Sequence, residues 1–339
     1  MARRRVRLAA MISCGIVALA LLVDATASGL GASARGGTSV ASDELSSPSG
    51  LPAEAARLSR SAVRWSNGCR AASELVRGGT SQLYVESGGR VRSYLLHVPT
   101  TYRADRPSPL IVAFHGRGRT PQLSEATTGL SGAPAIVAYP EGVANRIGKL
   151  DWEVSPEAAP GVDDVALTGA VIDRTEATMC VDRDRVYAVG HSDGGGFAVA
   201  VACALGHRIA AVVSVAGAYY DKPNGCASPI ALLELHSVGD AIVRYGGSTW
   251  RGARLPAISS FMRAQARVNQ CAPEPRRSVI RSRAVGFRWV GCASGRPVEH
   301  IRIGNRFHRV PTSRDLGGIS FTVLAWRFLR KQSLPSSVV

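Results

Sequence analysis

The sequence predicts an α/β fold: a single domain with a mostly parallel central sheet and helices on both of its faces. From Ser81 onward, strand-like and helix-like stretches alternate, the order expected of a sheet crossed by helices. The strand-like stretches in the middle of the chain are short apolar runs without polar alternation, the pattern of strands covered on both sides. Near the end, Phe321, Leu324, Ala325, Phe328 and Leu329 fall on one face of a helix. A chain of 339 residues with 45% hydrophobic residues has room for one large core, which excludes a disordered or collagenous polymer and a multispan membrane protein.

The elements follow in order. Leu83-Tyr84-Val85 and Tyr94-Leu95-Leu96 flank Gly88-Gly89 and predict a hairpin. Pro109 to Phe114 and Ala135 to Tyr139 read as buried strands. Asp163-Asp164 precedes a helix carrying Leu167, Ala170 and Val171. Arg185 to Gly190 is a further buried strand, followed by a small-residue helix from Phe197 to Leu205. Strands at Ala211 to Val215, Ile230 to His236 and His300 to Ile303 complete the pattern.

The two ends of the chain have a different character. Arg3, Arg4, Arg5 and Arg7 precede an almost purely apolar run from Leu8 to Val23, and small residues follow. That order predicts a secretory signal peptide over residues 1–27, with cleavage as late as residue 34, and an extracellular or cell-envelope location. Residues 28–64, rich in Ser, Gly and Ala, predict a flexible linker. The folded domain then spans 65–331 and a polar tail 332–339. Contact with a membrane is expected only through the signal sequence. Lys+Arg 41 against Asp+Glu 25 gives a net charge of +16, spread along the chain without the basic block of a nucleic-acid arm, so no nucleic-acid partner is expected.

Six cysteines remain after the signal peptide: Cys69, Cys180, Cys203, Cys226, Cys271 and Cys292. An even number in an exported chain predicts disulfides, and six cysteines allow 15 connectivities. Neither the cysteines nor the histidines have metal-binding spacing, so no metal is expected.

The chemistry centres on Gly190-His191-Ser192-Asp193-Gly194, a G-x-S-x-G run between a predicted strand and a predicted helix. A serine on such a turn presents its hydroxyl above the sheet, the glycines allow the tight backbone, and the N–H of Asp193 points to where an oxyanion would develop. A serine hydroxyl needs a histidine to take its proton and a carboxylate to orient that histidine. Asp240 lies in the loop after the Leu232-to-His236 strand, at the strand end where open α/β sheets gather functional groups. Of the two histidines beyond it, His308 lies in a loop and His300 within a strand, so His308 is the expected base. His115-Gly116-Arg117 closes the first buried strand and is placed to supply the second oxyanion N–H, from Gly116 or Arg117. His115 itself reads equally well as a support for that loop. The carboxylate of Asp193 lies beside an oxyanion donor, and Arg117 or Arg119 is the expected source of compensation.

With these residues placed, the stretch from Cys69 to Lys331 resembles the secreted polyhydroxybutyrate depolymerase and feruloyl esterase family of α/β hydrolases. The resemblance rests on Arg92-Ser93-Tyr94-Leu95-Leu96-His97-Val98-Pro99, on Pro109 to Gly116, and on the long run from Cys180 to Gly195. Ala202-Cys203, Tyr245-Gly246-Gly247 and Gly291-Cys292 extend it. It implies a cofactor-free ester hydrolase acting through an acyl-enzyme on ester substrates of the polyhydroxybutyrate, feruloyl or acetyl-sugar type, with Ser192, Asp240 and His308 as its triad. It also implies the pairs Cys69 with Cys180, Cys203 with Cys226, and Cys271 with Cys292. The segment Asn305 to Pro311 departs from the family pattern: it keeps the histidine and proline and lacks the usual glycines and tryptophan. A catalytically impaired binding protein and a secreted serine peptidase are the alternative readings on the same fold.

Overall fold

The computed structural model describes residues 63–71, 74–220, 226–281 and 283–335. The expected signal peptide, almost all of the expected linker and the end of the tail lie outside the described residues. In chain order the elements are β1 (Thr80–Ser87), β2 (Arg90–His97), β3 (Ser108–Phe114), α1 (Pro121–Thr128), β4 (Ile136–Pro140), β5 (Val143–Ala144) and β6 (Leu150–Asp151). These are followed by α2 (Asp164–Thr178), β7 (Val181–His191), α3 (Asp193–Ala204), β8 (Ala211–Val215) and β9 (Leu232–Ser237). The last group is β10 (Ser248–Trp250), β11 (Ala253–Leu255), α4 (Ile258–Val268), β12 (Arg276–Arg281), β13 (Ala284–Trp289), β14 (Val298–Ile303) and α5 (Phe321–Leu329).

Ten strands form one sheet in the order β1-β2-β4-β3-β7-β8-β9-β14-β13-β12. The six from β4 to β14 run parallel, and antiparallel strands extend both edges. The expected hairpin is present, with Ser87 opposite Arg90 and both Gly88 and Gly89 at positive φ, the geometry of a two-residue turn that L side chains resist. The buried strands lack polar alternation because both faces are covered. Leu110, Val112 and Phe114 of β3 join the core beneath α2, α3 and α4, while Ile111 and Ala113 join the core beneath α5. Residues 186–189 of β7 divide in the same way.

Two expectations need correction. The helix after β7 begins at Asp193, not Phe197, because Gly194, Gly195 and Gly196 are helical in spite of their low propensity. Packing requires them: a Cβ at Gly194 would collide with the Phe114 and His115 carbonyls, and one at Gly196 with the Ala218 carbonyl. The expected polar tail also starts as packed chain, since Leu334 is buried and its N–H donates to the Asp184 carbonyl at 2.9 Å. At the other end, the Arg64 carbonyl accepts from the Arg183 N–H at 3.0 Å.

Disulfides join Cys69 to Cys180, Cys203 to Cys226 and Cys271 to Cys292, as the family resemblance implies. The second pair ties the end of α3 to the approach to β9. Replacing both Cys203 and Cys226 by Ala should lower unfolding free energy by about 2–4 kcal/mol in a denaturant titration. No loss of stability would mean that this link does not constrain the unfolded chain.

Candidate active site

Ser192 sits between the last residue of β7 and the first of α3, with φ 58° and ψ −124°. Backbone in this region is strained for any residue with a side chain. It is held from both sides: the Ser192 N–H donates to the Val215 carbonyl at 2.9 Å, and its carbonyl accepts from Gly195, Gly196 and Ala218. The turn is so tight that a Cβ on Gly190 would overlap the Gly194 carbonyl. The result places the Ser192 hydroxyl at the carboxyl end of the central strands.

Asp240 and His308 reach the same point from other strands. Asp240 follows β9 in a turn in which its Oδ1 accepts from the N–H groups of Ile242 at 2.8 Å and Val243 at 3.0 Å. Its Oδ2 lies 2.7 Å from His308 Nδ1, and His308 Nε2 lies 2.8 Å from Ser192 Oγ. Asp240 is buried, which by itself raises its carboxyl pKa. The hydrogen bond and charge of His308, with the Ile242 N–H and His236, outweigh burial and hold it below its ordinary value. His300, the other histidine beyond Asp240, lies within β14, where its Nε2 meets the Tyr245 hydroxyl at 3.0 Å.

Behind Asp240 lies a group of buried charges that the sequence reading did not assign. Glu234 of β9 is fully buried, 2.8 Å from His236 Nδ1 and 2.7 Å from His300 Nδ1. His236 Nε2 is 2.8 Å from the Val243 carbonyl and 3.5 Å from Asp240 Oδ2. Both ring nitrogens of His236 therefore face acceptors, which only the doubly protonated ring satisfies. Burial lowers its pKa, but the Glu234 carboxylate more than reverses this and raises it. The sequence signal was a glutamate and a histidine inside an otherwise apolar strand, where an ionisable group persists only with a partner.

The loop after β3 faces Ser192 from the other side. Among the described residues, neither the Asp193 N–H nor those of Gly116 and Arg117 has a hydrogen-bond acceptor. His115 is buried; its Nε2 accepts from the Gly142 N–H at 3.0 Å, and its carbonyl accepts from Trp152 Nε1 at 2.7 Å. Burial brings its pKa down to about 4, so it is a neutral support for the loop. His191 lies beside His308 with ring centroids 5.0 Å apart and the rings tilted by 43°, and burial, with the His308 charge, lowers its pKa to about 3.

The expected compensation of Asp193 is present only in part: the Arg117 charge acts on it without an ion pair between them. Arg117 pairs with Glu157 and lies 3.3 Å from Asp151, while Asp193 Oδ1 accepts from the Tyr220 hydroxyl at 2.7 Å. Burial, assisted by the neighbouring Asp151 carboxylate, pushes the Asp193 carboxyl up to about 6 against the Tyr220 hydrogen bond and the Arg117 charge. Arg119 has no ion pair among the described residues.

A cavity of about 390 Å³ opens over Ser192, with Tyr220, Ile242, Trp250 and Leu255 in its walls. A second, of about 280 Å³, lies toward Leu123, Thr127 and Val310, and both share Gly116, Arg119, His191 and His308.

In this chain the parallel sheet with a serine on its strand-to-helix elbow is the arrangement of the α/β-hydrolase fold. Its fold matches the solved acetyl xylan esterase from Aspergillus awamori, with a TM-score of 0.53 and 15% identity over 70% of this chain and 100% of that one. Its sequence is similar to those of curated feruloyl esterases. It is 31% identical to the "Probable feruloyl esterase C" of Aspergillus flavus, covering 51% of this chain and 64% of that protein. It is 26% identical to feruloyl esterase B of Piromyces equi, covering 72% of this chain and 46% of that protein. The chain thus spans less than two thirds of the length of these curated relatives. No family model matches it.

The Asp193 carboxyl gives a test by pH. Its folded pKa of about 6 exceeds the ordinary 3.8. The ionised form is therefore penalised in the fold: the cost is absent below the unfolded value, grows between the two values and is complete above about pH 6. Asp193→Asn keeps an acceptor for Tyr220 and presents an amide N–H toward Asp151. It should raise stability by about 1–3 kcal/mol at pH 8 and change it little at pH 4, as read by thermal unfolding. An equal effect at both pH values would show that Asp193 does not carry this penalty.

Proposed function

We propose that this protein is a serine ester hydrolase that cleaves carboxylic esters through an acyl-enzyme. The observation that carries the proposal is the continuous hydrogen-bonded chain from Asp240 through His308 to Ser192 Oγ. His308 Nε2 takes the Ser192 proton as Oγ attacks the ester carbonyl, and Asp240 holds the ring in the required tautomer and stabilises the imidazolium. The unpaired N–H groups of Asp193 and Arg117 receive the oxyanion, with Gly116 beside them. Collapse of the tetrahedral intermediate breaks the bond to the alcohol, which leaves with the proton from His308. Water then attacks the acyl-serine with His308 as base, and the acid departs. The two cavities that meet at His308 accommodate the acyl and alcohol portions.

The substrate reading follows the relatives: esters of the feruloyl or acetyl-sugar type, with polyhydroxybutyrate esters also within the family that the motifs resemble. Trp250, Leu255 and Ile242 offer an apolar wall suited to an aromatic or alkyl acyl group. No step draws on a cofactor. The arginine-led apolar N-terminus and the three disulfides support export to an oxidising compartment. His308 meets both of its partners in spite of the altered Asn305-to-Pro311 segment, which favours an active enzyme over an impaired binding protein.

Ser192→Ala should reduce kcat on a p-nitrophenyl acyl ester about 10³-fold or more while leaving the fold intact. Turnover at the parent rate by a folded variant would refute the assignment.

A further inference from the structure

Two cations stand at the mouth of the cavity over Ser192 without a counter-charge. Arg119 and Lys149 both line it, both are exposed, and neither forms an ion pair with any described carboxylate. The other arginines that line the two cavities are already matched: Arg117 by Asp151 and Glu157, and Arg309, in the second cavity, by Asp315 at 3.0 Å with its guanidinium stacked on Phe307. The acid in the lining of the larger cavity, Asp193, is buried and bonded to Tyr220.

The two cations are held on fixed backbone. The Arg119 N–H donates to the Gly116 carbonyl at 2.9 Å, within the loop that carries the proposed oxyanion donors. Lys149 closes a turn on the buried Asn145, whose Oδ1 accepts from the Lys149 N–H at 3.1 Å and whose N–H donates to the Lys149 carbonyl at 2.8 Å. The two segments are joined by the Gly118 N–H, which donates to the Leu150 carbonyl at 2.7 Å. Gly118 has φ +67°, and a Cβ there would stand 3.5 Å from Lys149 Cδ, so the lysine stem lies along this glycine. Arg119 lines both cavities and can reach a group on either side of the scissile bond.

From this placement we propose that Arg119 and Lys149 form an anion-recognition subsite, and that the enzyme prefers esters whose acyl or alcohol portion carries a carboxylate. The proposal rests on the ester-hydrolase reading and narrows its substrate class. Unpaired cations around a concave, partly apolar site attract and orient an anion, and the attraction weakens as salt rises.

The test uses two matched pairs of esters: mono-p-nitrophenyl adipate with its methyl ester, which places the charge on the acyl side, and p-(butyryloxy)benzoate with its methyl ester, which places it on the alcohol side. In at least one pair the anionic member should show kcat/KM about tenfold above its methylated partner at low ionic strength, corresponding to about 1.4 kcal/mol. That ratio should fall toward one in about 0.5 M NaCl, where charges are screened over a few ångströms. It should fall in the same way in the Arg119→Gln, Lys149→Gln double variant and be retained in Arg119→Lys, Lys149→Arg. Equal or poorer turnover of the anionic member in both pairs would overturn the proposal while leaving the hydrolase reading in place. A preference that the glutamine variant retains would overturn it too. Failure to turn over any of the four esters would instead strike the hydrolase reading and the subsite with it.

Discussion

The site depends on one backbone constraint, the strained turn at Ser192. A residue with a side chain at φ 58°, ψ −124° persists only where its surroundings fix it. Here the surroundings are the β8 carbonyl of Val215 on one side and the first turn of α3 on the other. The close approach of β7 to α3 leaves no space for a side chain at Gly190, and the Phe114 and His115 carbonyls leave none at Gly194. The same approach brings Gly194 against the end of β3, so the turn that raises the serine also sets the loop of Gly116 and Arg117 opposite it. One local geometry thus positions the hydroxyl and the facing N–H groups together.

Charge is arranged around that turn in layers. The Asp240 carboxyl is held below its ordinary pKa, against its burial, by His308 in front, by the N–H groups of its own turn and by His236 behind. His236 is in turn balanced by Glu234, which β9 buries completely. A buried ion pair is costly to form and strongly damaging to break, which explains why so many polar partners surround this one. On the opposite wall, Asp193 is treated differently. Burial and the nearby Asp151 favour its protonated form, and Tyr220 supplies a hydrogen bond where the sequence pointed to an arginine.

Much of this was legible in the chain, for definite reasons. The central strands announce themselves as unbroken apolar runs because both faces are covered, and the elbow is visible because its glycines are sterically required. Asp240 and His308 could be named because the order of residues and the loop positions after strands narrow the choice to very few. Other parts were hidden. β12 at the sheet edge carries Arg276, Arg277 and Ser278 and resembles polar loop in composition, while Gly286 and Arg288 interrupt the apolar residues of its neighbour β13. Gly194 to Gly196 read as a helix breaker until the facing carbonyls explain them. Tyr220 lies in a connection and Trp250 ends the three-residue strand β10, too short to show periodicity, so their roles at Asp193 and in the cavity wall emerge only from tertiary packing. The fate of the Asp193 charge depends on Asp151 and Tyr220, both distant in sequence.

The central claim is that Ser192 is the residue activated for covalent attack. It is tested most directly by treating the protein with a fluorophosphonate and locating the adduct by peptide mass spectrometry. The account predicts one stoichiometric adduct on Ser192, formed much more slowly in a His308→Gln variant. Failure of the intact protein to react, or reaction at another residue that persists in Ser192→Ala, would contradict it.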